Sequence, residues 1–215
     1  MADKTLTERL TEIRDKASAR SREFYDALVK QLIASGAVEN ALKEGATFPD
    51  FQLASADGRF VRRADLLAKG PAVISFYRGA WCPYCSAELN ALADIAPQIR
   101  DAGATLAAIT AEAGGIALRT QVERDLDFEI LCDLDNVLAL ECGIIYPVPD
   151  NIRAAYLQGG IDFVRVYDND AWMLPTPATY IVRSDATIAK SYVNPDFRYR
   201  LEPTEILSAL KALTP

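Results

Sequence analysis

Histidine is absent from all 215 residues. That removes the commonest general base, the commonest metal ligand and every Cys–His or Ser–His catalytic pair. A reactive cysteine in this chain must be activated by helix geometry, arginine, lysine or buried carboxylates. Basic charge is in deficit, with Lys+Arg 23 against Asp+Glu 30, a net charge of −7 and a pI of about 4.8. The balance argues against nucleic acid and against an anionic membrane surface as partners. No apolar run approaches the ~20 residues of a membrane span. The stretch Met1 to Leu6 has neither the apolar core nor the cleavage site of a secretory signal, so a reducing, cytoplasmic setting is expected. Cysteine is sparse, with 4 in the chain, too few for a disulfide framework at this length. Cys132 and Cys142 are too far apart to be the tight second pair of a zinc ribbon, and Asp168-Asn169-Asp170 lacks the Gly and the distant Glu of an EF-hand loop. No metal is expected.

What is present is ordinary globular usage, 50% hydrophobic and 25% charged, enough for one α/β domain with an appendage or for two small domains. Thr5 to about Ser35 reads as one long amphipathic helix. Thr5 and Glu8 fit a capping box, Leu6, Leu10, Ile13, Ala17, Phe24, Leu28 and Leu32 form the apolar stripe, and Gly36 closes the helix. The stripe packs either on its own domain or on a second subunit. Arg63 to Lys69 suggests a brief helix. Ala72–Tyr77, Ala104–Thr110 and Phe128–Cys132 read as strands alternating with helices, the signature of βαβ units. Residues 144–174 are broken by Pro147, Pro149, Gly159 and Gly160. Ala178–Arg183 and Thr187–Val193 then form a hairpin, and Pro203 opens a last helix.

The chain is organised around Phe76-Tyr77-Arg78-Gly79-Ala80-Trp81-Cys82-Pro83-Tyr84-Cys85. A buried strand precedes it and a helical pattern, about Ser86 to Arg100, follows it. Two cysteines two residues apart thus sit where a strand feeds a helix, where helix-end N–H groups and the helix dipole favour thiolate over thiol. The spacing lets the sulfurs close a small disulfide. A dithiol that is acidified and able to close on itself is a redox centre.

Together with Leu174-Pro175-Thr176-Pro177-Ala178-Thr179-Tyr180-Ile181-Val182, this stretch resembles the peroxiredoxin-like branch of the alkyl hydroperoxide reductase/thiol-specific antioxidant (AhpC/TSA) family. The resemblance runs from about Glu44 to Leu213. It implies a thioredoxin-like α/β fold, with a central mixed sheet flanked by helices over residues 44–215 and a helical extension over residues 1–43. Laid on the family's Pro-x-x-x-Thr-x-x-Cys loop, the peroxide-attacking position falls on Cys85, the Thr position on Cys82, the Pro position on Arg78 and the distant Arg position on Pro177. These replacements restore the thioredoxin pattern of a Cys-x-x-Cys facing a proline, which in such proteins is cis. Thr176-Pro177 looks like that element.

By thioredoxin logic Cys82, the more N-terminal and more exposed sulfur, is the nucleophile and Cys85 the resolving thiol. Arg78 either holds a thiolate or makes a strand-end salt bridge. Trp81 and Tyr84 either flank the cysteines as an apolar docking surface or are plain packing, with Thr176 beside Pro177. Cys132 and Cys142 read as buried small hydrophobes. The expected function is a thiol–disulfide oxidoreductase cycling Cys82–Cys85. The alternatives are a thiol-dependent peroxidase and a non-catalytic redox-sensing protein. A thiol reductant of thioredoxin or glutaredoxin type, a disulfide or hydroperoxide substrate and a possible homodimer are the implied partners, and no cofactor is implied.

Overall fold

The computed structural model describes residues 4–213; Met1, Ala2 and Asp3, the first residues of the expected N-terminal extension, and Thr214 and Pro215 lie outside the described residues. The elements in chain order are α1 (Leu6–Lys16), α2 (Ala19–Ala34), β1 (Gln52–Ser55), β2 (Phe60–Arg62), α3 (Arg63–Leu67), β3 (Ala72–Phe76), α4 (Pro83–Asp101), β4 (Thr105–Thr110), α5 (Gly114–Glu123), β5 (Glu129–Cys132), α6 (Val137–Glu141), β6 (Ile145–Pro147), α7 (Asp150–Gln158), α8 (Phe163–Tyr167), β7 (Met173–Pro175), β8 (Ala178–Val182), β9 (Ile188–Val193) and α9 (Pro203–Lys211).

β3 is buried along its whole length because it is central and covered on both faces. It runs parallel to β4, which runs parallel to β5, and antiparallel to β8. The sheet order is β2-β1-β5-β4-β3-β8-β9, so the βαβ core expected from the sequence is extended by antiparallel strands at both edges. Period-two alternation divides the side chains between two cores. Val73, Leu106, Ala108, Ile130 and Ile181 face Leu89, Leu92 and Ile99 of α4. Ile74, Phe76, Ala107, Ile109 and Tyr180 face Phe48, Leu66 and Leu138. The barely legible 144–174 stretch is an excursion from the sheet. β6 and β7 pair as a ribbon, with Tyr146 opposite Leu174, and α7 and α8 are carried between them.

The expected single N-terminal helix is two. Ala17 is extended (φ −66°, ψ 147°) and the Ser18 side chain caps α2 by accepting from the Ser21 N–H at 3.1 Å. A serine that satisfies a free helix-end donor stabilises a new start better than it stabilises a helix interior. Arg22 helps close α1 by donating to the Asp15 and Ala17 carbonyls at 3.1 and 2.6 Å. The Thr5–Glu8 capping box forms as expected. The Glu202 carboxylate accepts from the Leu6 and Thr7 N–H groups, tying the N-terminus of α1 to the start of α9. Leu6, Leu10, Leu28 and Leu32 are buried in the same core as Leu92 of α4, whereas Phe24, expected inside with them, is only half-buried. It lies edge-on to Tyr156, ring centroids 5.4 Å apart.

α4 begins at Pro83, three residues before the expected Ser86, because proline at the first helical position loses no hydrogen bond and presets the helical φ. Cys82 is therefore the N-cap residue. Among the described residues no helix is long and apolar enough to cross a membrane.

Leu28 is fully buried, so Leu28→Ala leaves a cavity under α2 and is expected to destabilise the protein by about 2–5 kcal/mol. Urea unfolding followed by circular dichroism measures this. A loss below about 1 kcal/mol would mean that α2 is not part of the cooperative core.

Candidate active site

The chain leaves β3 through Tyr77, whose N–H still bonds the Ile109 carbonyl at 2.9 Å, and then turns through Arg78 to Trp81 into α4. The turn is fastened on several sides. The Ala80 N–H donates to Glu112 Oε1 at 3.0 Å, Ser86 Oγ donates to the Ala80 carbonyl at 3.2 Å, and the Tyr167 hydroxyl donates to the Arg78 carbonyl at 2.5 Å. Trp81 Nε1 donates to that same hydroxyl at 2.9 Å. Gly79 is required by close approach, since a Cβ there would lie 2.4 Å from Trp81 Nε1 and 2.9 Å from Glu112 Oε1.

Both sulfurs of the turn are free thiols with no exposed surface. Each has its own guanidinium. Arg78 Nη2 lies 3.0 Å from Cys82 Sγ, and Arg200 Nη2 lies 3.4 Å from Cys85 Sγ. Arg78 is itself fully buried, donates to the Tyr156 hydroxyl at 3.2 Å, and is stacked 3.7 Å from the Phe197 ring centroid and 4.9 Å from that of Trp81. Arg200 is paired at 2.6 Å with Glu88, also buried, and donates to the Phe197 and Tyr199 carbonyls.

Burial alone would push both thiols up. At Cys82 this is outweighed by the hydrogen bond from the Cys85 thiol and by the charges of Arg78 and Arg200, which hold Cys82 well below the ordinary thiol range. At Cys85 burial is reinforced by the same hydrogen bond and by the Cys82 charge, so it stays protonated. The two environments thus favour the proton on Cys85 over Cys82. Cys132 and Cys142 are buried as expected; burial pushes the first up to about 11 and the second further.

The site differs from the expected one in four respects. Cys82 is not the exposed sulfur; it is as buried as Cys85. Tyr84 is no docking surface, because it is buried against Tyr25 and Phe197. Trp81 is half-buried, packed on Tyr156 and Phe163. The Thr176–Pro177 bond is trans. Pro177 is buried and immediately precedes Ala178, which pairs with Phe76, so it lies at the sheet end from which the cysteine turn departs. Thr176 is buried, its N–H donating to the Ile144 carbonyl at 2.7 Å. Arg78 holds the thiol rather than making a strand-end salt bridge.

Glu88, Glu112, Arg200, Tyr156 and Tyr167 are additions to the sequence reading. Glu88 did carry a signal. It stands in the apolar stripe Cys85, Leu92, Ile95, Ile99, where a carboxylate is out of place without a buried cation. Arg200 and the two tyrosines carried none, because only tertiary structure brings them to the sulfurs.

A model of the AhpC/TSA family matches residues 45–191. The thiol-disulfide oxidoreductase ResA of Bacillus cereus (strain ATCC 10987 / NRS 248) is 27% identical over 130 residues, which is 55% of this chain and 73% of that protein. A Mycobacterium tuberculosis protein named "Putative peroxiredoxin Rv1608c" is 28% identical over 103 residues, 48% of this chain and 67% of that one. Among solved structures, peroxidoxin BcpB from Mycobacterium tuberculosis superposes with a TM-score of 0.64 at 20% identity, covering 81% of this chain and 99% of that one. The peroxiredoxin 6 of Arenicola marina gives 0.65 at 18% identity, over 80% and 74%. These superpositions show the thioredoxin-like fold.

Glu112 yields a test of the site's electrostatics. Burial raises its carboxyl from the ordinary 4.5 to about 7, with the hydrogen bond from the Ala80 N–H opposing. Between those values the folded protein keeps a proton that the unfolded chain has lost, so stability falls as pH rises through the window and the penalty is complete above it. Glu112→Gln keeps an acceptor for Ala80 and is expected to flatten that slope and to gain at most about 3 kcal/mol over the native chain at pH 8. Parallel pH–stability curves for the two proteins would show that Glu112 is ionised in the fold throughout.

Proposed function

Because the chain belongs to the AhpC/TSA family and is a thiol-based oxidoreductase of peroxiredoxin-like type, we propose that Cys82 is its attacking thiolate and Cys85 its resolving thiol. The observation that carries this reading is the Arg78–Cys82 contact of 3.0 Å inside a fully buried site. The guanidinium and the N-terminal end of α4 stabilise negative charge on that sulfur more than on its neighbour.

The exchange runs in two steps. Cys82 Sγ⁻ attacks one sulfur of a substrate disulfide, forming a mixed disulfide and releasing one substrate thiolate. Cys85 then attacks Cys82 Sγ, the Cys82–Cys85 bond forms, and the second substrate sulfur leaves with the bonding electron pair. The Cys85 proton goes to a departing thiolate. Arg200, 3.4 Å from Cys85 Sγ, stabilises the charge that develops there as the proton leaves. The cycle is completed by a thiol reductant. Since neither sulfur is exposed, the substrate reaches Cys82 only when the site opens; Trp81, of the cysteine turn itself, packs on Tyr156 and Phe163.

Disulfide is the preferred substrate. A peroxidase needs donors fixed around the breaking O–O bond, and the family's Thr and Arg positions here are Cys82 and Pro177. One observation favours the peroxidase reading, namely Arg200, which supplies a guanidinium to the sulfur at the family's peroxide-attacking position. Against it stands the proton on Cys85.

Stopped-flow oxidation of the reduced protein by a protein disulfide and by hydrogen peroxide separates the two. Disulfide is expected to react faster, Arg78→Ala to slow that reaction at least tenfold, and Cys85→Ser to accumulate mixed disulfides that Cys82→Ser does not form. Fast peroxide reduction lost in Arg200→Ala and kept in Arg78→Ala would hand the attacking role to Cys85.

A further inference from the structure

We propose that the Cys82–Cys85 disulfide is strongly oxidising and is opened by a low-mass monothiol, because closing it strips a buried guanidinium of its counter-charge. The inference rests on the reading of Cys82 and Cys85 as the cycling pair. Arg78 has no exposed surface, and its partners are Cys82 Sγ, the phenols of Tyr156 and Tyr146 and the faces of Phe197 and Trp81. Among the described residues no carboxylate pairs with it; the groups that act on its charge are thiols and phenols. The other cation of the site differs, since Arg200 has a carboxylate partner, Glu88, at 2.6 Å. Glu112, the remaining carboxylate, bonds the Ala80 N–H and not a cation.

In the reduced protein the Cys82 thiolate neutralises Arg78. In the disulfide neither sulfur carries charge, and Arg78 is left with the phenols of Tyr156 and Tyr146 and two ring faces. Removing one member of a buried ion pair destabilises the fold strongly, and cation–π contacts recover only part of that loss. Whatever stabilises the reduced fold over the oxidised one appears in full as a more oxidising couple. A disulfide ordinarily stabilises its protein; here the sign is reversed. Such a couple is reduced without a low-potential dithiol partner, a single-thiol donor suffices, and the substrate disulfide that the dithiol reduces is one more oxidising still, as strained and exposed disulfides are.

The reaction balances. One protein disulfide and two monothiols give the Cys82 thiolate, the Cys85 thiol, one monothiol disulfide and one proton. The first monothiol thiolate attacks Cys82 Sγ, and the electron pair of the broken S–S bond leaves on Cys85, which takes up a proton. The second attacks the monothiol sulfur of the mixed disulfide, and Cys82 departs as the thiolate beside Arg78. The monothiols lose the two electrons that the protein gains.

The test equilibrates the full chain in graded mixtures of reduced and oxidised glutathione, quenches with acid, and counts free thiols at Cys82 and Cys85 by alkylation and mass spectrometry. Thermal melting of the two redox forms is recorded alongside. The reduced protein is expected to melt above the oxidised one. Arg78→Met is expected to make the disulfide at least tenfold harder to reduce, about 30 mV for a two-electron couple, while Arg78→Lys retains most of the native value. A native disulfide form that melts above the dithiol overturns the inference, as does an Arg78→Met constant equal to the native one. If Arg78→Met does not fold, the melting order of the native forms decides alone. If no Cys82–Cys85 disulfide forms in any mixture, the cycling-pair reading falls and takes this inference with it; the other adverse outcomes leave that reading standing.

Discussion

A single buried contact, the Arg78 guanidinium 3.0 Å from Cys82 Sγ and on our proposal an ion pair with its thiolate, sets the terms for the site. A guanidinium without solvent must have a partner, and here the partner is the reactive group itself. The surroundings keep that arrangement in place. Phe197 and Trp81 stack on the cation, Tyr156 takes one of its protons in a hydrogen bond, and Tyr167 holds the Arg78 carbonyl. Glu112 anchors the next peptide N–H. These residues come from the excursion between β6 and β7, from the end of β4 and from the loop before α9. The sheet supplies the frame, because β3 and β8 end together where the cysteine turn begins.

The second pair, Arg200 with Glu88, does different work. Its cation is paired with a carboxylate rather than with a sulfur alone, and it stands 3.4 Å from Cys85 Sγ as a donor. Burial pushes the Glu88 carboxyl up to about 7 against the pull of Arg200, which marks the pair as barely compensated for its desolvation. The two thiols therefore face unlike environments although they lie one helical turn apart. That asymmetry, and not the Cys-x-x-Cys spacing, gives them distinct roles.

Local signals in the sequence were read correctly where a single residue type decides the conformation. The capping box at Thr5, Gly36 after α2, the hairpin β8–β9 and Pro203 at the start of α9 all formed. The continuous N-terminal helix failed because a helical stripe persists across a break. Ser18 interrupts the backbone without interrupting the apolar face. The exposure of Cys82 failed for a different reason. A strand–turn–helix motif fixes where a sulfur sits relative to its own helix, and says nothing about what lies on top of it. The rings packed around the turn are Tyr156 and Phe163, in the stretch whose prolines and glycines hid its helices, and Tyr25 and Phe197, which pack on Tyr84 and on each other. Arg200 was unreadable because its partner Glu88 is 112 residues away. Glu88 was readable in principle, as a carboxylate in an apolar stripe.

Closure of the site changes how its reactivity must be judged. With both sulfurs at no exposure, every bimolecular rate is the product of the open fraction and the intrinsic rate of the open site. A tightly closed protein thus reacts slowly with all substrates, and slow reaction with peroxide alone would not distinguish missing O–O donors from a shut site. The open fraction cancels in the ratio of two substrates measured on one protein, provided that both enter through the same opening. A protein disulfide needs a wider opening than hydrogen peroxide does, so closure biases the ratio towards peroxide. A preference for disulfide observed against that bias has to come from the sulfur and its immediate neighbours, from Arg78 on Cys82 and from the absence of a fixed donor at Pro177. The geometry of closure thereby makes the comparison conservative in the direction that matters.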